Sequence, residues 1–390
     1  MSMSGRVGMP HSEGLVARQA HVGTPSGTFE RELGRDGFSG PATQMYHRNP
    51  PTAWTSVEGT IRPRAFNPGK IGGVPGASPW DALALFDNPH IRIRFWRPGQ
   101  SMDHLVRNSD GDELAFVHRG AGHLYCDYGH LAFEEGDYLL LPRGTMWRIE
   151  CDGAAELLLM ESTGAAYRWP ERGPLGRHVP FDPGVLDRPT LDAAFKHQRG
   201  GPWQVRVKRR QQIGTISYPY NPLDAVGWQG DLYPVRLNVR DIRNVMSHRI
   251  HVPPSVLATF SSDRFVVCTA TPRPLETDPD AMKLPWYHNN DDYDEMIFYH
   301  RGKFLSRSGD DWLGAMTLHP SGIPHGPHPD TLPYMFKHPT GFLDNYAVLV
   351  DTLDALEPGE AAARCEIDGY AETWRGSIRL APDATANAAE

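Results

Sequence analysis

Two stretches of this chain repeat each other, and this repeat restricts the fold more than any other feature of the sequence. VRNSDGDELAFVHRG (106–120) and HNNDDYDEMIFYHRG (288–302) align without a gap, and both end in His-Arg-Gly. A second pair, GDYLLLPRG (136–144) and GAMTLHPSG (314–322), follows in the same order and keeps five residues between its first glycine and its proline. Two matched blocks in the same order predict a duplicated domain.

The residues around the repeats favour short strands. Runs rich in β-branched and aromatic residues are bounded by Gly, Pro or Asp, and the chain holds 39 Gly and 35 Pro. This pattern is typical of a β-sandwich or barrel. The predicted strands are 91–96, 113–120, 137–142, 155–161, 265–270, 295–302 and 346–352. Helices are predicted only near 191–198 and 366–374.

The repeated blocks resemble the two motifs of the cupin barrel, H-x-H-x(3,4)-E-x6-G and G-x5-P-x-G-x2-H. In the C-terminal copy the ligand positions hold His288, Glu295 and His325, and only the second histidine of the first motif is replaced, by Asn290. The resemblance implies a mainly β, two-domain cupin (a bicupin) made of two double-stranded β-helix, or jelly-roll, barrels.

The N-terminal copy has lost its ligand histidines. Val106 and Trp147 stand at their positions, and neither side chain is expected to bind a metal. Glu113 remains, and we expect it to be hydrogen-bonded locally. The metal site is therefore predicted only in the C-terminal barrel.

Two imidazoles and one carboxylate suit oxygen chemistry. Held by His288, Glu295 and His325, an octahedral Fe(II) keeps about three open positions, enough for a bidentate substrate and O2. The same ligand set does not exclude zinc. Any one of the three could instead be an ordinary polar residue at a strand end, but all three at motif spacing favour a metal site.

The repeat and the composition divide the chain into four parts. Residues 1–45 are polar and glycine-rich and are predicted to form an arm or a loosely held segment. Residues 46–215 are assigned to the degenerate barrel with a connecting segment, and residues 216–380 to the catalytic barrel. Residues 381–390 are predicted to form a flexible tail.

Charge and hydropathy exclude several kinds of partner. The net charge is −8 with a pI near 6.1, and without a basic tract nucleic acid is not expected as a partner. No apolar run approaches the length of a membrane span, and the N-terminus lacks the apolar core of a secretion signal. The four cysteines are scattered, which favours the reducing cytoplasm.

Several longer segments resemble the homogentisate 1,2-dioxygenase family. The resemblance runs from about residue 220 to the end and is weaker but collinear before that. The segments that carry it are PWYHNNDDYDEMIFYHRGKF (285–304), MTLHPSGIPHGPHP (316–329), NPLDAVGWQGDLYP (221–234), HVPPSVLATFSS (251–262) and ARCEIDGYAETW (363–374).

The resemblance implies roles for individual residues. It gives the same three metal ligands and identifies the metal as Fe(II). It implies that His251 is the catalytic acid/base that takes a phenolic proton, and that His319 hydrogen-bonds a substrate oxygen. Trp286 and Tyr287, next to the first ligand, are expected to contact the substrate.

Three departures from the family pattern affect the substrate pocket. One additional residue lies between His288 and Glu295, a length that the barrel motif tolerates. Phe304 stands where the family has a substrate-binding tyrosine, so one hydrogen-bonding group is lost. Arg307 replaces a lysine and could bind a carboxylate in bidentate fashion.

The resemblance implies an enzyme that opens a hydroquinone-type aromatic acid with O2, in the family converting homogentisate to maleylacetoacetate in tyrosine degradation. Its small-molecule partners would be an aromatic substrate and O2. The resemblance also implies a trimer-based homo-oligomer. A different hydroxylated or amino-hydroxy aromatic acid is the first alternative, because of Phe304 and Arg307. A metal-binding bicupin without oxygenase activity, an isomerase or a binding protein, is the second.

Overall fold

The structure is a computed structural model. It describes residues 10–72, 76–198, 200–283, 286–304, 312–328, 331 and 341–375. Over these ranges the chain is mainly β, with five sheets and few short helices. No helix within them is both long enough and apolar enough to cross a membrane.

The strands of the first half are β1 (Phe29–Gly34), β2 (Ala42–His47), β3 (Arg64–Phe66), β4 (Leu83–Asp87), β5 (Ile91–Trp96), β6 (Leu105–Asn108), β7 (Asp112–Arg119), β8 (Gly122–Cys126), β9 (Gly129–Phe133), β10 (Asp137–Leu141), β11 (Met146–Cys151), β12 (Glu156–Ser162), β13 (Trp203–Arg209) and β14 (Gln212–Tyr218). Those of the second half are β15 (Val235–Asn238), β16 (Ala258–Ser261), β17 (Phe265–Ala270), β18 (Arg273–Pro274), β19 (Tyr287–Asn290), β20 (Asp294–Gly302), β21 (Met316–His319), β22 (Phe342–Leu343), β23 (Asn345–Thr352), β24 (Glu357–Pro358) and β25 (Glu366–Ile367).

The α-helices are α1 (Ala193–His197) and α2 (Glu360–Cys365). Turns of 3-10 helix lie at Pro68–Lys70, Pro79–Asp81, Gly173–Leu175, Pro183–Val185, Val239–Asp241, Pro254–Leu257 and Tyr370–Arg375.

The N-terminal barrel is made of two facing sheets. One has seven strands in the order β15-β10-β7-β12-β5-β4-β24, and the other has six in the order β14-β13-β6-β11-β8-β9. Alternate residues of each strand point inward, so Val117 and Leu157 from one sheet share a core with Leu124 and Trp147 from the other.

The C-terminal barrel repeats this arrangement. Its main sheet has seven strands in the order β16-β17-β23-β20-β21-β3-β25, and the three-stranded sheet β19-β1-β2 and the hairpin β18-β22 lie beside it. The register of the two copies matches. Val106 pairs with Trp147 in the first, and His288 forms the corresponding bridge with His325 in the second. The repeat is therefore a structural duplication, and the molecule is a mainly β bicupin as predicted.

The two barrels are joined through their large sheets. The outward residues of the N-terminal sheet, among them Phe116 and Leu158, share one buried apolar cluster with the outward residues Phe298 and Val350 of the C-terminal sheet. Both sheets are thus buried on both faces, which explains why their strands are almost continuously apolar.

The N-terminal segment pairs with a strand of the second half. Within its described part, β1 and β2 form an antiparallel hairpin, and β1 pairs in parallel with β19, placing Glu32 opposite His288. The segment is held by buried charge as well as by the sheet: the buried Glu30 carboxylate lies 2.6 Å from Nδ1 of His21. Residues 29–34 and 42–47 are therefore paired in a sheet, and the predicted arm with the bounds 1–45 stays a prediction.

The seven predicted strands are confirmed as β5, β7, β10, β12, β17, β20 and β23, and the helix near 191–198 is confirmed as α1. Near 366–374 the structure has β25 and a 3-10 turn instead of the predicted helix, and α2 ends just before them. The domain ranges 46–215 and 216–380 stay a prediction. Two strands pair across these bounds: β3 pairs with β21 in the sheet of the C-terminal barrel, and β15 pairs with β10 in the sheet of the N-terminal barrel. The predicted tail at 381–390 lies outside the described residues.

Candidate metal centre

Three donor side chains meet inside the C-terminal barrel. His288 lies on β19, Glu295 lies on β20, and His325 forms a backbone bridge to His288 with N–H to O distances of 2.9 and 3.0 Å in the two directions. Within the described ranges this is the one group of three or more His, Cys, Asp or Glu residues whose ligand atoms all lie within 4.8 Å of one another. The structure therefore brings together the three ligands predicted from motif spacing.

Backbone carbonyl groups orient both imidazoles. Nδ1 of His288 lies 2.9 Å from the carbonyl oxygen of Trp286, and Nδ1 of His325 lies 3.0 Å from that of Ile323. A carbonyl only accepts, so each Nδ1 carries the proton and each Nε2 keeps its lone pair. Nε2 of His325 is buried without a hydrogen-bond partner among the described residues. The two imidazoles and the carboxylate therefore fit a divalent metal ion.

Glu295 is held as an anion by its neighbours. Its Oε2 lies 2.6 Å from Nδ1 of His319, and Nε2 of His319 lies 3.1 Å from the hydroxyl of Tyr370. Burial opposes ionisation of this carboxyl group, yet the hydrogen bond from His319 and the surrounding imidazoles hold the pKa of Glu295 at about 2. Burial, together with the neighbouring imidazoles, lowers the pKa of His325 well below its usual value. Both ligands are thus in the protonation state that binds a metal.

A second carboxyl group lies beside Glu295. Asp351 on β23 pairs with it across the strands. Burial and the negative charge of Glu295 raise the pKa of Asp351 well above its usual value. Because two adjacent buried carboxylates repel each other, the proton on Asp351 leaves the negative charge on Glu295.

A cavity of about 230 Å³ adjoins the three ligands, a size suited to a single-ring compound. Its described walls are mostly apolar, with Ala270, Ile297, Phe304, Leu343, Ala347 and Leu349. His319 also lines it, as predicted for a substrate-binding residue, although both its ring nitrogens are engaged by protein groups. The ring of Phe304 packs on Tyr299, with centroids 4.7 Å apart.

Other predicted site residues lie behind the ligands. Trp286 and Tyr287 are buried, and neither is among the described residues that line the cavity. The ring of Trp286 stacks on His21 at a centroid distance of 3.4 Å. Their predicted contact with substrate stays a prediction, whereas the carbonyl group of Trp286 orients His288.

His251 is also buried and outside the described cavity wall. Its Nδ1 lies 2.8 Å from Oε1 of Glu276, and its ring meets Trp286 edge-on at 5.9 Å. Burial lowers the pKa of His251, and the Glu276 carboxylate partly counteracts this. Its role as acid/base stays a prediction. Arg307 lies outside the described residues.

In the N-terminal barrel a guanidinium group takes the place of a metal. Nη2 of Arg94 lies 2.7 Å from Glu113 and 3.2 Å from Glu161, and Nζ of Lys208 lies 2.5 Å from Glu161. Glu113 is thus bound locally, as predicted.

Sequence reasoning did not find several residues of the site. Phe38 meets the His288 ring edge-on at 5.1 Å, and Tyr370 supports His319. Both lie far from the ligands in the chain and outside the repeat. Asp351 could have been found, because Glu161 occupies the equivalent register position of the first copy.

Comparisons with known proteins identify similar chains. Residues 85–239 match the family model described as homogentisate 1,2-dioxygenase N-terminal. A protein of Saccharolobus solfataricus, named as a candidate dioxygenase, is 30% identical over 380 residues, covering 93% of this chain and 98% of that protein. Homogentisate 1,2-dioxygenases of Rhodopseudomonas palustris and Bradyrhizobium diazoefficiens are each 26% identical, over 70% of this chain.

The chain spans 63% of the length of those two homogentisate 1,2-dioxygenases. Among solved structures, a cupin 2 conserved barrel domain protein from Leptotrichia buccalis gives a TM-score of 0.34 at 10% identity, covering 74% of this chain and 96% of that one. The family model, the relative matched over nearly its whole length and the curated enzymes show that the chain belongs to the homogentisate 1,2-dioxygenase family.

Proposed function

We propose that this protein is an Fe(II)-dependent ring-cleaving dioxygenase that opens a hydroquinone-type aromatic acid with O2, as in the conversion of homogentisate to maleylacetoacetate. The observation that carries the proposal is the position of two imidazoles and one carboxylate at the wall of a mostly apolar cavity of about 230 Å³. Three protein ligands leave room for a bidentate substrate and O2 on an octahedral ion.

His288, Glu295 and His325 would hold the iron. When bound, Fe(II) would supply open coordination positions for both reactants and one-electron chemistry between the closed-shell aromatic ring and triplet O2, which do not combine directly. The protein supplies orientation: the carbonyl groups behind both imidazoles hold them in place, and His319 holds Glu295 at 2.6 Å. The apolar walls would exclude water and strengthen the electrostatic interactions of a bound phenolate.

We also propose that His251 accepts the phenolic proton. The Glu276 carboxylate, 2.8 Å from Nδ1, would stabilise the imidazolium that forms. Because His251 is outside the described cavity wall, this step requires the substrate or the intervening groups to come closer than the structure shows. A His251→Ala variant should keep its iron and lose turnover by roughly 100-fold or more. Unchanged turnover would contradict the assignment.

The main test is aerobic turnover of homogentisate by protein that has been loaded with Fe(II) under anaerobic conditions. The expected result is a new enol-dione absorbance that rises with consumption of one O2 per ring opened. Zinc-loaded protein is the control and should consume no O2. Metal binding without O2 consumption, or turnover under anaerobic conditions, would contradict the proposal and favour a metal-binding bicupin of another kind.

One observation favours a second substrate class. Phe304 lines the cavity and presents a ring without a hydroxyl group, so it offers no hydrogen bond to the substrate. A pocket that lacks such a group selects less strongly for the matching oxygen. Oxygen uptake with a panel of other dihydroxy and amino-hydroxy aromatic acids would show whether one of them has a higher kcat/KM than homogentisate.

A further inference from the structure

The cavity beside the metal centre contains one permanent positive charge among its described walls. Arg273 lines it, and no other arginine or lysine does within the described ranges. Arg273 lies on the short strand β18, just after β17, and pairs with Leu343 of β22, another residue of the cavity wall. The hairpin β18-β22 therefore places a guanidinium group at a mostly apolar cavity.

This guanidinium group has no hydrogen-bond or ion-pair partner among the residues that the structure describes, where no acceptor group forms a hydrogen bond or an ion pair within 4.0 Å of it. Glu276 is the carboxylate that acts on it electrostatically, but that group lies 2.8 Å from His251. Burial lowers the pKa of Arg273, which reflects the cost of holding its charge away from water. Within the described part of the chain, the hydrogen-bond donors of the guanidinium group are therefore available to a ligand.

A carboxylate is the ligand that fits this arrangement. The planar guanidinium group donates two parallel hydrogen bonds to a carboxylate, and in an apolar cavity that pair is stronger than in water. The side chains of Ile297, Phe304 and Leu349 form apolar walls that suit an aromatic ring. The other charged groups that line the cavity in the described part belong to the metal centre.

We propose that Arg273 is a specificity-determining residue that binds the side-chain carboxylate of an aromatic acid whose ring oxygens face His288, Glu295 and His325. The substrate class is thus a phenolic ring with an anionic side chain, and neutral phenols should bind more weakly because they leave the guanidinium charge unpaired. This inference rests on the proposed function for its substrate, but not for its binding geometry.

The kinetic test compares an acid with its neutral ester. For Arg273→Gln, kcat/KM for homogentisate should fall by roughly 100-fold, mainly through KM, because a charge pair in a mostly apolar cavity is lost. For the methyl ester of homogentisate, kcat/KM should change by less than about 3-fold. Arg273→Lys should recover part of the loss for the acid, since it restores the charge without the bidentate geometry. Arg249→Gln, a largely exposed arginine of the same half, is the matched control.

An equal loss with acid and ester would overturn the proposal, since it would show a structural role for Arg273. Thermal unfolding and iron content of each variant identify a variant that fails to fold.

A binding experiment separates this inference from the proposed reaction. Phenylacetate carries the carboxylate and has no ring hydroxyl to react, so calorimetric titration into the full-length protein measures recognition alone. Wild type should bind it at least about 10-fold more tightly than Arg273→Gln. That result would support the role of Arg273 even if homogentisate is not turned over, which would contradict only the proposed function. Equal binding by both proteins, or no binding by wild type, would overturn the inference.

Discussion

The two barrels hold a glutamate at the same position, but the groups that surround its carboxylate differ. In the N-terminal barrel Glu113 lies 2.7 Å from Arg94, and Val106 and Trp147 pack together where ligands would lie. In the C-terminal barrel Glu295 faces two imidazoles and a cavity. The register places Cys268 of the second copy where Arg94 stands in the first.

The difference shows what a buried glutamate requires. A carboxylate away from water is unfavourable unless a cation or a set of hydrogen bonds compensates it. The first barrel provides that cation as an arginine within the chain, and its interior is therefore closed. The second barrel has a small residue there, which leaves room for an external cation and for a ligand beside it. The exchange of arginine for cysteine at this inner position thus accompanies the exchange of Val106 and Trp147 for His288 and His325.

The largest expected effect follows from removing a ligand of the C-terminal barrel. His288→Ala should lose most of its iron and lower turnover by at least about 1,000-fold, which corresponds to roughly 4 kcal/mol of activation free energy. Metal analysis and oxygen uptake measure the two quantities. His178→Ala, an exposed histidine, is the control and should keep both. Full iron occupancy in His288→Ala would refute the ligand assignment and the contrast between the barrels.

The next effect is on stability and belongs to the N-terminal barrel. Arg94→Met leaves Glu113 buried without its cation and leaves Glu161 with Lys208 alone, so the free energy of unfolding should fall by about 3–5 kcal/mol. Although burial opposes ionisation, Arg94 and Lys208 together lower the pKa of Glu161 in the intact protein. Urea unfolding measures the change. Arg92→Met on the same strand, 4.0 Å from Glu161, should cost less than about 1 kcal/mol.

Equal losses in Arg94→Met and Arg92→Met would show that Arg94 does not replace a metal in the first barrel. Iron content should stay unchanged in both variants, because neither residue lies in the C-terminal barrel.

The sequence predicted what the repeat encodes. Runs rich in β-branched and aromatic residues located seven strands, and motif spacing placed His288, Glu295 and His325 together because cupin hairpins hold those positions at one end of a barrel. It missed what depends on distant parts of the chain. The packing of residues 29–47 on β19 could not be predicted, since edge-strand pairing leaves no local signal. Arg273 was missed for a similar reason: a charged residue after an apolar run usually marks a strand end at the surface.

The third effect is on the pH dependence of stability and concerns a histidine that both copies of the repeat share. His118 and His300 end the two copies of the repeat, and their Nδ1 atoms lie 3.0 Å apart in the interface between the barrels. Burial first, and then His300 and Arg119, lower the pKa of His118 to about 2. Burial, Arg301 and Arg119 lower the pKa of His300 to about 3. The carboxylate facing the pair is Glu156, 3.9 Å from Nε2 of His118.

Both imidazoles are neutral in the folded protein and become protonated in the unfolded chain below pH 6.5. The contribution of this pair to the free energy of unfolding is therefore fully present above pH 6.5. It falls as the pH decreases towards 3, by about 1.4 kcal/mol per pH unit for each histidine. Urea unfolding at pH 7.5 and 5.5 should differ by up to about 3 kcal/mol from this pair. In the double variant His118→Phe/His300→Phe that difference should become smaller. An unchanged difference would show that the two histidines do not cause the pH dependence of stability.

The smallest effect concerns the support of Glu295. Tyr370 lies 3.1 Å from His319, which in turn lies 2.6 Å from the carboxylate. Groups behind a ligand commonly change metal affinity by 10- to 100-fold. Because Tyr370 acts through a second residue, Tyr370→Phe should lower Fe(II) affinity by about 10-fold, while saturating iron restores turnover. His319→Gln should weaken binding more, since it removes the direct contact. If Tyr370→Phe instead lowered turnover at saturating iron, the hydroxyl group would act on the substrate. The difference between the barrels would then include substrate-binding groups as well as metal ligands, because Leu141 occupies the position of His319 in the first copy.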